Sequence, residues 1–344
     1  MKKSVIIIGG GISGMTAAGT LTANGVNVIL LEKNGLPGGH VADWHRLFPD
    51  QRKASEITGF GRHETDGIGM YTGNSVSSII RSGETFKVTT DMDKTFMADA
   101  LLIATGFDLF DARKKEEYGY GIYNNVITSA ELEQIFNKGE GLRTAEGKPP
   151  GRIGFIHCVG SRDEKVGNLY CSKVCCITGV KQAIEIKELL PSSEVYCFYM
   201  DLRMYDRHFE ELYYEAQQKW GINFIRGRLS ECSENQDGSI VVKTEDTLSG
   251  RPLKMNVDLM VLLVGMVPSG GTGRIAAMLG LKTGDDGFIS SADLHLRNNS
   301  TEIPGVFIAG AVKGPVSVNA SIADARAAAV QVLGYLNSRK PQHA

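Results

Sequence analysis

Short apolar runs alternate along this chain with longer stretches whose apolar residues recur every three or four positions. The runs at residues 5–8, 29–31, 101–103, 153–156, 195–200, 258–264 and 303–309 are largely apolar, the pattern of strands buried on both faces. The stretches 15–23, 129–136, 172–190, 207–220 and 321–336 read as helices. In the fourth, Phe209, Leu212, Tyr213, Ala216 and Trp220 fall near one face, expected to pack on a sheet or on a neighbouring copy. Residues 86–90 and 95–96 alternate across polar turns and predict an antiparallel meander, whereas 50–70 reads as a long polar loop. Strand-helix alternation predicts an α/β fold with two dinucleotide-binding-type domains. Pro149-Pro150-Gly151 breaks the chain, giving a first domain over 1–110, a connecting segment over 111–150 and a second domain over 151–268. Residues 269–344 return to the first domain, which is therefore discontinuous.

The first apolar run ends in Gly9-Gly10-Gly11-Ile12-Ser13-Gly14, a GxGxxG between a predicted strand and a predicted helix. Gly9 permits the tight turn, Gly11 lets the backbone approach a pyrophosphate, and Gly14 allows close helix–strand packing. The helix start offers free N–H groups to phosphate. Glu32 closes the second strand, where an acid takes ribose hydroxyls and repels a 2′-phosphate. This fingerprint alone leaves NAD and FAD open. Gly38-Gly39-His40, and the Ala104-Thr105-Gly106 turn after the third strand, favour FAD. Late in the chain, flavoproteins of this architecture carry an Ala-Gly-Asp turn. Here it reads Ala309-Gly310-Ala311, so the acid's contact must come from the backbone or a neighbour. Ser317 to Ala320 lead into the last helix, whose N-terminus is expected to face the flavin pyrimidine.

In pyridine-nucleotide disulfide reductases a second fingerprint stands after the first strand of the second domain. Here that position reads Cys158-Val159-Gly160-Ser161-Arg162, with no phosphate cradle. Cys171, Cys175 and Cys176 follow, at the start of the predicted 172–190 helix, which would put Cys171 and Cys175 one turn apart. The spacing is neither a zinc ribbon nor a ferredoxin run, and CxxC is absent. An iron–sulfur cluster, zinc, thiol redox chemistry and plain core packing all remain open on spacing alone. Cys197 reads as core and Cys232 as a surface turn. His40, His45 and His63 are scattered, so hydrogen bonding or solvent is expected for each rather than a metal.

The formal net charge of −2 gives no case for nucleic acid or an anionic membrane. The opening MKKSVIIIGGGISG imitates a signal peptide, but its apolar run is too short for export or a membrane span. A cytoplasmic protein with reduced cysteines and no membrane insertion is expected.

GGGISG, LPGGH with a following Phe-Pro, CVGSRD, YCSKVCCITGVKQA, YMDLR, RGRL, EDTLSG, GMVP and GVFIAGA together resemble the A subunit of heterodisulfide reductase and its relatives. The resemblance runs along nearly the whole chain. It implies a thioredoxin-reductase-like fold holding FAD, with a [4Fe–4S] cluster at Cys158, Cys171, Cys175 and Cys176. Lys181 would be a catalytic lysine near flavin N5, the alternative being a solvated helix lysine. The flavin contacts are then Gly9, Gly11, Ile12, Ser13 and Gly14; Glu32 and Lys33; Gly38, Gly39 and His40; Ala104, Thr105 and Gly106; and Gly310, Ala311, Val318, Asn319 and Ala320. Partners would be the other subunits of a heterodisulfide-reductase-like complex, with a homodimer also expected. The chain departs from the family at Gln51-Arg52-Lys53-Ala54-Ser55, where a further cysteine pair often stands, and it lacks the ferredoxin modules of the long methanogen forms. On that comparison the wiring for flavin-based electron bifurcation is expected to be incomplete. It looks most like the short relatives of this family in sulfur-oxidising bacteria. The corresponding A subunit of a quinone-interacting oxidoreductase is a near neighbour.

The expected function is electron transfer between FAD and one cluster, in the oxidation of sulfur compounds. Two other classes compete: a free-standing NAD(P)H-dependent disulfide reductase using Cys175 and Cys176, and a non-catalytic FAD-stabilised scaffold.

Overall fold

Two compact units, residues 1–42, 55–108 and 267–344 in the first and 43–54 and 109–266 in the second, are built on one plan. The computed structural model describes residues 3–58 and 67–339, so His63 lies outside the described residues. The first unit holds a parallel sheet in the order Val306–Ile308, Ala100–Ile103, Ser4–Ile8, Asn27–Leu31, Ile68–Tyr71. The second holds one in the order Asn223–Arg226, Glu194–Tyr199, Arg152–Val159, Leu259–Val264, Val126–Thr128. Each unit adds a three-stranded antiparallel meander: Val76–Ser82, Thr85–Thr90 and Thr95–Ala98 in the first, Glu231–Glu234, Ile240–Asp246 and Arg251–Val257 in the second.

The unbroken apolar runs are central strands because both of their faces are covered. All six residues of Leu259–Val264 and all four of Ala100–Ile103 are buried. At about 1.5–3 kcal/mol per fully buried aliphatic side chain, these strands dominate the cores. In the first unit the helix Ile12–Ala23 lays Ala17, Ala18 and Leu21 against Ala325, Ala328, Ala329 and Val332 of the last helix, Val318–Ser338. Small side chains there let the two helices approach closely.

In both sheets the first strand of the βαβ unit pairs on one side with the next strand in sequence, Asn27–Leu31 for Ser4–Ile8 and Glu194–Tyr199 for Arg152–Val159, and on the other with a strand from much later in the chain, Ala100–Ile103 and Leu259–Val264. The chain therefore leaves these strands at a topological switch point, where α/β sheets open a ligand crevice. In the first unit that point carries Gly9 to Gly14; in the second it carries Cys158.

Several expectations need correction. Residues 111–150 do not merely connect: Val126–Thr128 is an edge strand of the second sheet, followed by the helix Ser129–Lys138. That helix is capped by Thr128, which forms a reciprocal capping box with Glu131. Residues 43–54 leave the first domain for the second unit, tied there by His45 and Arg46 to Glu185 and Glu188. The supposed 50–70 loop ends in the strand Ile68–Tyr71, which completes the first sheet against Asn27–Leu31. Cys232 sits within the strand Glu231–Glu234, paired with Val242, and not on a turn. Cys197 is fully buried, as core. Among the described residues no helix is long and apolar enough to cross a membrane.

Candidate functional site

In the first unit the glycine turn has the geometry its pattern predicts. Gly9 has φ +109°, and a Cβ there would lie 2.3 Å from the Ala104 carbonyl oxygen. A Cβ on Gly14 would lie 1.9 Å from the Gly9 carbonyl oxygen, so helix and turn touch only because both are glycine. Gly11 differs: its φ is −72°, and a Cβ would meet nothing nearer than the Gly39 Cα at 3.9 Å. The space over Gly11 is thus open to a ligand. Gly11 caps the helix Ile12–Ala23 with no side-chain acceptor, and no acid lies in the first turn. Its free N–H groups and dipole suit a pyrophosphate. Ser13 is buried beside Gly310.

The other expected flavin residues of this unit gather nearby or hold the turns in place. Gly38 N–H donates to the Gly10 carbonyl at 2.8 Å, and Gly38 bridges Gly11, so the second glycine pair lies along the first turn. Buried Glu32 accepts from Gly10 N–H and Asn34 N–H, both at 2.7 Å, while Lys33 is exposed. Each carboxylate oxygen keeps a lone pair for a ribose hydroxyl. His40 stacks on Phe107 and its Nε2 lies 2.9 Å from the Phe107 carbonyl, a hydrogen-bonded histidine. Thr105 Oγ1 pairs with Thr272 Oγ1 at 2.7 Å, just after Ala104 and before Gly106.

The Gly310-Ala311 turn is held by an acid from the following helix, a contact that sequence spacing did not reveal. Asp324, in the second turn of the last helix, accepts from Gly310 N–H at 2.7 Å and from Lys313 Nζ at 2.6 Å. Ser317 caps that helix, accepting from Ala320 N–H, and Val318, Asn319 and Ala320 form its first turn with Asn319 and Ala320 exposed.

The switch point of the second unit is filled by sulfur. Cys158 is buried with φ +60°, and Arg162 (φ +53°) and Lys173 (φ +59°) are likewise left-handed. Strain in non-glycine residues of this kind costs about 1–3 kcal/mol each and gathers at functional sites. The loop between strand and helix is pinned: Asp163 N–H donates to Asn168 O, Asn168 Nδ2 to Gly160 O, and Asp163 pairs with Lys115 and Arg228 at 2.7 and 2.6 Å. Burial disfavours the Asp163 charge, yet Lys115 and Arg228 hold its carboxyl below the usual range.

The helix starts at Cys175, not at Ser172, and runs Cys175–Leu189. Ser172 instead turns its Oγ to accept from Met266 N–H at 2.9 Å, so Cys171 sits in the folded loop rather than on the helix. Its sulfur takes the Lys173 N–H at 3.3 Å. Cys158 Sγ lies 4.0 Å from Cys175 Sγ. Cys176, next on the helix, points to the Asp201 carbonyl at 3.5 Å. All four thiols are free. The Cys175 hydrogen bond, and then the neighbouring His157 imidazole, pull the Cys176 thiol down to about 4; the Cys175 hydrogen bond likewise lowers Cys158. Cys175, donating to both and fully buried, is pushed up.

This donor set fits a sulfur-ligated anionic group. Val174 caps the helix without a side-chain bond, and no acid lies in its first turn. His157 is buried with its ring beside the Cys176 sulfur. A single ion is less well served: among the described residues no three His, Cys, Asp or Glu side chains are grouped about one point. A four-iron cluster needs no such point, because each cysteine binds a different iron.

Lys181 is not a solvated lysine. It is buried, and its ammonium is bound by Glu133, by Glu185 at 3.0 Å and by the Arg46 carbonyl at 3.1 Å. Gln182 donates to Glu133 at 2.6 Å, and His45 Nδ1 lies 2.8 Å from Glu185. Two hydrogen bonds, to Glu133 and the Arg46 carbonyl, and an ion pair with Glu185 hold the ammonium within the second unit.

The profile of the pyridine nucleotide-disulphide oxidoreductase family matches residues 3–140 and 176–331, leaving out the stretch with Cys158, Cys171 and Cys175. The A subunit of the H(2):CoB-CoM heterodisulfide,ferredoxin reductase of Methanothermobacter thermautotrophicus is 43% identical over 236 residues, 67% of this chain and 36% of that protein. The iron-sulfur A subunit of the CoB–CoM heterodisulfide reductase of Methanocaldococcus jannaschii is 33% identical and covers 96% of this chain, with 64% of its own length matched. The chain thus spans roughly a third of the first relative and under two thirds of the second. The resemblance to heterodisulfide reductase read from the motifs stands. In fold, the chain is similar to Lactococcus lactis thioredoxin reductase, with a TM-score of 0.68 at 20% identity, covering 98% of this chain and 100% of that one.

Proposed function

The chain belongs to the pyridine nucleotide-disulphide oxidoreductase family, and on that premise we propose that it is one electron-transferring component of an oxidoreductase, with FAD in its first unit and a [4Fe–4S] cluster in its second. Family membership implies the FAD. The cluster reading is carried by one observation: Cys158, strained at the second switch point, meets Cys175 and Cys176 at a helix start, where a phosphate cradle would otherwise stand. FAD takes electrons in pairs and a cluster singly, so together they couple two-electron donors to one-electron carriers.

The residues divide the work. Gly11 and the first turn of Ile12–Ala23 hold the pyrophosphate, Glu32 the ribose, and the late turn at Gly310 with the start of Val318–Ser338 the flavin end. Cys158, Cys171, Cys175 and Cys176 hold the cluster, with the Lys173 N–H on the Cys171 sulfur. Lys181 locks Glu133, Glu185 and the Arg46 backbone together, and so orders residues 43–54 in the second unit. The relatives are named as subunits of heterodisulfide reductases, which supports work inside a larger complex with a sulfur compound as the two-electron partner.

Under this reading NADH and NADPH do not reduce the flavin rapidly, because the second unit offers cysteines where a dinucleotide would dock. Anaerobic stopped-flow mixing checks it: the flavin band stays with either nucleotide and bleaches with dithionite. Rapid bleaching by either nucleotide would return the chain to the NAD(P)H-dependent disulfide reductases.

A further inference from the structure

Arg162 carries a charge that the protein satisfies only in part. Its Nη2 donates to Asp201 Oδ2 at 2.7 Å and its guanidinium lies beside the Cys158 sulfur, but its buried Nη1 makes no well-aligned hydrogen bond within the protein. A buried charged N–H without a well-aligned acceptor costs more than the about 1–3 kcal/mol of a neutral one, so a sulfur acceptor next to Cys158 would relieve it. The left-handed backbone at Arg162, and its N–H to the Tyr170 carbonyl at 2.9 Å, fix the residue between the Cys158 and Cys171 ends of the loop. Burial opposes the guanidinium charge, yet Asp201 and the Cys158 and Cys171 thiolates raise its pKa above the ordinary value. Asp201 completes the arrangement: its carboxylate takes Arg162, and its backbone carbonyl lies 3.5 Å from the Cys176 sulfur.

We propose that Arg162 donates from Nη1 to a sulfur of the cluster held by Cys158, Cys171, Cys175 and Cys176, and with Asp201 sets the potential of that cluster. The proposal rests on the cluster reading above. One-electron reduction, by dithionite in the titration, adds one negative charge to the cluster and breaks no bond. A guanidinium in hydrogen-bond reach favours the reduced form. The Asp201 carboxylate, close behind it, opposes that effect. The two residues are thus expected to move the potential in opposite directions.

The test is an anaerobic redox titration of the whole chain, followed by electron paramagnetic resonance, with iron and acid-labile sulfide measured on each sample. Arg162→Gln should lower the cluster midpoint and Asp201→Asn should raise it, with iron retained in both. An unmoved midpoint in Arg162→Gln overturns the proposal. So do shifts of the same sign in both variants, the mark of a merely disturbed loop. Should Arg162→Gln lose its iron, Arg162→Lys and Asp201→Asn carry the test. A raised midpoint in Asp201→Asn with a near-native one in Arg162→Lys then supports the role, and no rise in Asp201→Asn overturns it. Wild-type protein purified without iron would sink the cluster reading itself, a failure distinct from an iron-loaded protein whose potential ignores Arg162.

Discussion

Gly11→Val is expected to fold normally and to purify colourless. Gly11 has an extended backbone that any residue adopts, and a Cβ there clashes with no protein atom. What the side chain fills is the space over the turn, where a pyrophosphate receives the helix N–H groups. Losing two such charge-assisted bonds, at about 1.5–3 kcal/mol each, weakens FAD by at least about 100-fold. Flavin absorbance per chain after desalting measures the loss, and circular dichroism the fold. Retention of full flavin would remove Gly11 from the phosphate site. Gly9→Val is the contrast: with φ +109° and a carbonyl 2.3 Å from its Cβ, it should damage the fold itself.

Lys181→Met should be among the most destabilising single changes in the second unit. The substitution keeps the volume but strands the carboxylates of Glu133 and Glu185, both buried. Removing one partner from such a cluster costs about 3–5 kcal/mol, which corresponds to a fall in Tm of roughly 4–7 °C in a chain of this size. Adding Glu133→Gln should recover part of the loss, because the two side chains are directly coupled. If Tm holds and only the flavin potential falls, the ammonium acts on the flavin, as the motif resemblance implied, and the structural role fails.

These residues also mark how far the sequence could be read. The glycine turn was legible because its demands are local: a positive φ at Gly9 and zero side-chain volume at Gly14 follow from chain geometry over a few residues. That Cys158 and Cys175 come together was legible only through the motif resemblance, since spacing alone left several readings open. Their setting was not. That the helix begins at Cys175 depends on Ser172 turning to Met266 N–H, ninety-four positions away in sequence. Lys181 read as either a flavin neighbour or a solvated lysine, since the acid it needs most, Glu133, lies forty-eight residues upstream. The hold of Asp324 on the Gly310 turn was invisible, because it reaches Gly310 from the following helix. The transfer of residues 43–54 to the second unit likewise rests on ion pairs to Glu185 and Glu188. Local steric rules can be read from one segment, and long-range polar pairing cannot.

The central claim, one flavin and one four-iron cluster on the same chain, is tested most directly by composition. Protein purified without oxygen should contain about one FAD and about four iron with matching acid-labile sulfide per chain. Cys175→Ala should lose the iron and keep the FAD, since the flavin residues lie in the other unit. Zinc in place of iron, no metal at all, or undiminished iron and sulfide in Cys175→Ala would contradict the account.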